Sequence, residues 1–106
     1  MTHEYSIIIT TCADKESATA IAKLLVEKQL AACVQMFPIE SVYAWEGKIC
    51  QGDETVMFIK SKSALFDEIA KMIKAHHTYD VPEVVQIPIT DGSPEYLRWI
   101  GEICRN

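Results

Sequence analysis

The chain is 106 residues long, 49% hydrophobic and 24% charged, which is the size of one globular domain spanning 1–106 and too short for two. Its net charge is −5, with ten Lys and Arg residues scattered and no basic stripe, which argues against nucleic acid as a partner. A mean hydropathy of +0.06, with no apolar run of membrane-spanning length, argues against a membrane partner and predicts that apolar surface ends in an oligomer interface.

The N-terminal residues lack the basic and apolar regions of a signal peptide, so a cytoplasmic location is expected. The β-branched run Tyr5–Thr11 predicts a buried strand. Asp14 is placed to cap a helix, with Glu16 in its first turn. Ala18, Ile21, Ala22 and Leu25 repeat at helical spacing, which carries that helix to about Leu30. A strand is expected over 32–37, interrupted by Pro38. Tyr43 and Trp45 share one face of the next strand, Glu46-Gly47 signals a turn, and 55–60 is a further strand. Together these predict a long hairpin over about 33–61, bent at Pro38.

Ser63 is the expected N-cap of a second helix, with Phe66, Ile69, Ala70 and Ile73 on its buried stripe and His76-His77 at its end. Residues 84–89 predict a last strand, in which Pro88 marks an edge or a bulge. Asp91-Gly92 turns the chain, and Ser93-Pro94 opens a third helix with Leu97, Ile100 and Cys104 at core spacing. The order βαββαβ plus a C-terminal helix predicts an α+β, ferredoxin-like sandwich. Its helices lie on one face of a four-stranded antiparallel sheet, and the other face is left for another subunit.

The cysteines at 12, 33, 50 and 104 form no C-x-x-C pair, so free thiols are expected. Cys33 and Cys104 read as core residues. Cys12 follows a strand and precedes a helix, where a thiolate gains from backbone N–H groups; a buried loop thiol is the plainer reading. His76 and His77 are either ligands or solvated caps of the helix end, since neighbours on a regular helix point about 100° apart. Tyr79, Asp80 and Glu83 flank Val81-Pro82 in a stiff loop that suits a cation or a small polar ligand. No phosphate loop, nucleophile elbow or H-E-x-x-H is present, and nothing specifies a reaction.

Four motifs then fall in order: Leu30-Ala31-Ala32-Cys33-Val34, Tyr43-x-Trp45-Glu46-Gly47-Lys48, His77-Thr78-Tyr79-Asp80-Val81-Pro82-Glu83 and Pro94-Glu95-Tyr96-Leu97-x-Trp99-Ile100. The chain strongly resembles the CutA family of divalent-cation tolerance proteins from about Tyr5 to Ile103. The resemblance implies a ferredoxin-like subunit in a tight homotrimer built like the PII signal proteins. It also implies a cytoplasmic role in tolerance of copper and other divalent ions, with metal ions bound and no catalysis. Two adjacent histidines of some members match His76 and His77. Their partner cysteine falls on Thr10, with Cys12 two residues later as its replacement, and the motif's proline is Thr78. The alternative is a PII-like signalling trimer that binds a small molecule in an intersubunit cleft lined by Trp45, Lys60, Tyr79, Asp80 and Glu83. An enzyme built on Cys12 or His77 is the third option, and no activity is expected from it.

Overall fold

A computed structural model describes residues 3–106. Its elements are β1 (Tyr5–Cys12), α1 (Lys15–Glu27), β2 (Cys33–Trp45), β3 (Lys48–Lys62), α2 (Phe66–His76), β4 (Val85–Pro88) and α3 (Pro94–Ile103). The strands form one antiparallel sheet in the order β2-β3-β1-β4, so the expected βαββαβ arrangement and the third helix are both present. Among the described residues, no helix is long and apolar enough to cross a membrane.

Local chemistry explains most element ends. The Asp14 carboxylate accepts the Ser17 N–H at 2.8 Å and starts α1. That helix stops at Glu27, short of Leu30, because Gln29 takes a φ of +59° and turns the chain. The Gln29 carbonyl then accepts the Arg105 N–H at 2.8 Å, tying the turn to the C-terminal segment. Between β2 and β3 the two turn residues have φ of +50° (Glu46) and +75° (Gly47), the backbone of a tight two-residue hairpin turn.

Three expectations need correction. Pro38 does not interrupt its strand: β2 runs unbroken from Cys33 to Trp45, with Pro38 opposite Thr55. β2 is an edge strand, where proline's missing N–H leaves no gap in a central ladder. Ser63 does not cap the second helix. It opens a short 3₁₀ turn over Ser63–Leu65, and its hydroxyl shares a 2.5 Å hydrogen bond with Ser6 Oγ. α2 therefore begins at Phe66 with no side-chain cap, and α3 likewise starts without help from the Ser93 hydroxyl, although Pro94 holds the first helical position as expected. Cys33 is half-buried at the sheet edge, whereas Cys104 is a core residue.

The core lies between the helices and one sheet face. Ile8, Met57 and Ile59 from the strands meet Leu25, Ile69, Ile73 and Ile100 from the helices, all essentially inaccessible to solvent. Along β1 the buried positions Ser6, Ile8, Thr10 and Cys12 alternate with the half-buried Ile7 and Ile9, which face the other way. On that second face Ile7 and Ile9 are registered with Ile87 and Val85 of β4, and Phe37 packs edge-on against Phe58 at 5.3 Å. Phe37, Val85 and Ile87 are each almost half exposed. β1 also carries Cys12 to the end of the sheet where the loop after α2 returns.

Candidate functional site

The end of α2 separates the two adjacent histidines. His76 is the last helical residue, and His77 breaks into extended backbone at φ −88° and ψ +151°. Their imidazoles consequently go to different places. His76 stays exposed, and its Nδ1–H donates to the Met72 carbonyl at 2.9 Å. His77 turns inward onto the end of β1.

Two hydrogen bonds define the His77 ring. Its Nδ1 accepts the Tyr79 N–H at 3.0 Å, so the other nitrogen carries the proton, and Nε2–H donates to the Thr11 carbonyl at 2.7 Å. Nε2 also lies 3.7 Å from Cys12 Sγ, and that sulfur lies 3.7 Å from Met57 Sδ. A thiol, a thioether and an imidazole thus meet at one place, all of them donors that suit soft metals. Among the described residues, no three His, Cys, Asp or Glu side chains converge as a ready metal site. Of the expected ligands, Cys12 and His77 are brought together and His76 is not.

Cys12 does not have the environment of an activated thiolate. Burial pushes its thiol pKa up, and the carboxylates of Asp14 and Glu54 push in the same direction. Asp14 stands between Cys12 and the start of α1 in sequence and takes an N–H there for itself, which holds its own carboxyl below the usual range. Thr10, where the family resemblance places a cysteine, is fully buried, and among the described residues its hydroxyl has no hydrogen-bond partner.

Beside this cluster lies a cavity of about 470 Å³ between the β2–β3 hairpin and the 79–83 loop. Four of the five residues expected in the cleft line it: Trp45, Tyr79, Asp80 and Glu83. The fifth, Lys60, is elsewhere, with its ammonium 5.4 Å from the centre of the Tyr96 ring. Glu54, which sequence reasoning missed, is central to the wall. Its Oε2 accepts the Tyr79 hydroxyl at 2.9 Å. Burial first, and then this carboxylate, push the Tyr79 phenol up to about 12. His77 and Tyr79 also pack ring to ring, 4.8 Å apart and tilted by 50°. A single connected group therefore runs from Cys12 through His77 and Tyr79 to Glu54 and the cavity.

Comparison with known proteins gives the family. Residues 6–103 match the family described as CutA1 divalent ion tolerance protein. A divalent-cation tolerance protein CutA from Archaeoglobus fulgidus is 45% identical over 98 residues, 92% of this chain and 96% of the relative. A chloroplastic CutA from Arabidopsis thaliana is 41% identical over 94% of this chain, which spans 56% of that relative's length; the zebrafish and mouse relatives are covered to 66% and 56%. The crystal structure of CutA1 from a Shewanella species superposes with a TM-score of 0.96 at 39% identity, covering both chains completely. A structure described as the periplasmic divalent cation tolerance protein CutA of A. fulgidus gives 0.92 at 44% identity, over 93% of this chain and 97% of that one. With a family match over nearly the whole chain and relatives above 40% identity, this protein belongs to the CutA1 divalent ion tolerance family.

Proposed function

We propose that this chain works as a homotrimer in divalent metal ion tolerance, taking up copper or another divalent ion without catalysing a reaction. The observation that carries the reading is the approach of Cys12 Sγ to His77 Nε2 at 3.7 Å, with Met57 Sδ at the same distance from the thiol. Sulfur and imidazole donors favour copper within the divalent series. Binding requires the Cys12 thiol to lose its proton and His77 Nε2 to release the Thr11 carbonyl. His76 joins only if its ring leaves the Met72 carbonyl. Burial that raises the Cys12 thiol makes it a poor nucleophile, and an incoming metal ion has to displace the same proton.

The apolar second face of the sheet supports self-association. Phe37, Val85 and Ile87, with Ile49 on the hairpin, expose the kind of surface that protomers bury against one another. The cytoplasm is the proposed location, although relatives are described as chloroplastic and periplasmic. Copper titration calorimetry on chelator-stripped protein tests the metal reading, with light scattering giving the assembly. One ion per chain on a particle of three chains is expected, with binding lost in Cys12→Ser and in His77→Ala. Wild-type binding in both variants overturns the site. A particle of one or two chains overturns the trimer.

The cavity beside the cluster favours a second reading, a PII-like trimer that binds a small molecule. Its volume of about 470 Å³ is within the range of small-ligand sites.

A further inference from the structure

The cavity between the hairpin and the 79–83 loop supports an inference that rests on the small-molecule reading and gives the ligand a chemical class. Its walls combine the rings of Tyr43, Trp45 and Tyr79 with the carboxylates of Glu54, Asp80 and Glu83, and among the described residues of the chain no Lys, Arg or His lines it. A phosphate or carboxylate ligand entering this space meets three negative charges and no compensating cation. Lys60, the cation expected there, is held over the Tyr96 ring instead. The lining that one protomer supplies therefore disfavours nucleotides and other anions.

A bare divalent ion is also a poor match. Such ions need oxygens gathered on one point at about 2.0–2.6 Å. Among the described residues, no three acidic, histidine or cysteine side chains converge in that way. Here three carboxylates share the lining with three aromatic rings. That pattern suits a cation that is large and weakly hydrated, one that gains from ring faces and from a negative surround without needing direct oxygen ligands. We infer that the cavity binds a small organic ammonium ion, its charged head against the rings of Tyr43, Trp45 and Tyr79 and within the negative surround of Glu54, Asp80 and Glu83.

The supporting contacts pre-set this wall. Tyr79 donates to Glu54 Oε2, which leaves Oε1 for a ligand and fixes the phenol ring in place. His77 packs against the same ring at 4.8 Å and accepts the Tyr79 N–H at Nδ1. Trp45 and Tyr43 are each about half exposed, so their rings are open to an incoming ligand.

The test uses the full chain in its native assembly, at low and constant ionic strength, with calorimetry and tryptophan fluorescence as readouts. The probes are tetramethylammonium chloride, its neutral counterpart tert-butanol, and ATP. Saturable binding of tetramethylammonium is expected, with tert-butanol about tenfold weaker and no heat from ATP. Glu54→Gln and Trp45→Leu should each weaken tetramethylammonium by about fivefold to tenfold. Asp80→Asn, on an exposed loop, provides a third variant that leaves the fold alone. If tert-butanol or ATP binds as well as tetramethylammonium, the ammonium class is wrong and the small-molecule reading stands. If none of the three binds saturably, both are overturned. Tetramethylammonium binding that is unchanged in all three variants removes the ligand from this cavity.

Discussion

Tyr79 offers a measurable link between the site and stability. Its phenol donates to Glu54 at 2.9 Å and is pushed from the ordinary 10.0 up to about 12. Because the folded pKa is raised, the unfolded chain gives up this proton first, so the stabilisation is complete below pH 10 and is lost as pH rises toward 12. A two-unit difference sets a ceiling of about 2.7 kcal/mol. Tyr79 is only half-buried, and solvent screening reduces this to about 1–1.5 kcal/mol. Tyr79→Phe should therefore cost about 1 kcal/mol at pH 7, through the lost hydrogen bond to a carboxylate. Between pH 10 and pH 12 it should lose less further stability than the wild type, by the same 1–1.5 kcal/mol. Urea unfolding at pH 7, 10 and 12 measures both effects, and the subtraction removes the lysines common to the two proteins. Parallel pH slopes for wild type and Tyr79→Phe would refute the assignment of the raised pKa to this residue.

Further consequences can be read in the same stability assay. Thr10→Val should raise stability by about 1 kcal/mol, since it replaces a buried hydroxyl that lacks a partner with a methyl of the same shape; a loss of stability means that the hydroxyl is hydrogen-bonded in solution. His77→Ala should cost about 1–3 kcal/mol, because the Thr11 carbonyl and the Tyr79 N–H both lose their partner. His76→Ala, exposed and bonded only to its own helix, should stay within about 0.5 kcal/mol of wild type, and equal costs for the two histidines contradict the split between them. Gly47→Ala should cost about 1 kcal/mol from backbone strain alone, because an added Cβ meets nothing within 4 Å while φ is +75°. An unchanged urea midpoint for that variant would argue against the turn conformation.

What the sequence made legible was what periodicity and local chemistry control. The stripe Ala18, Ile21, Ala22, Leu25 identified the buried face of α1, and Asp14 is its cap as expected. Glu46-Gly47 identified the hairpin turn. Pro38 misled because a proline ends a strand only when that strand is central, and strand order is a property of the whole sheet. Ser63 misled for a similar reason: its hydroxyl had a better partner in Ser6, 57 residues away. Within the site, Trp45, Tyr79, Asp80 and Glu83 were legible because they cluster in motifs. Glu54 and Met57 were not, since register alone brings them to the 79–83 loop and to Cys12. Lys60 is not in the wall of this protomer's cavity, and its strand neighbours do not reveal that α3 delivers Tyr96 to it.

The histidine pair shows most clearly how one backbone step decides chemistry. Had α2 continued for one more residue, His77 would have stayed on the helix surface beside His76, about 100° around. Instead the extended backbone at His77 aims its ring at β1, and the Tyr79 N–H selects the tautomer. An imidazole that accepts at Nδ1 must carry its proton on Nε2, the atom that faces Cys12 and the Thr11 carbonyl. A metal ion taking Nε2 therefore moves that proton to Nδ1, where it collides with the Tyr79 N–H, and the loop must shift. Nitrogen-15 NMR of the imidazole rings reads this directly. The metal-free protein should show His77 as the Nε2–H tautomer, and stoichiometric copper in its reduced, diamagnetic state should move the protonated nitrogen to Nδ1 and perturb the Tyr79 amide. A metal-free spectrum with the proton on Nδ1 would remove the bond that holds the loop in place, and with it the physical link between Cys12 and the cavity.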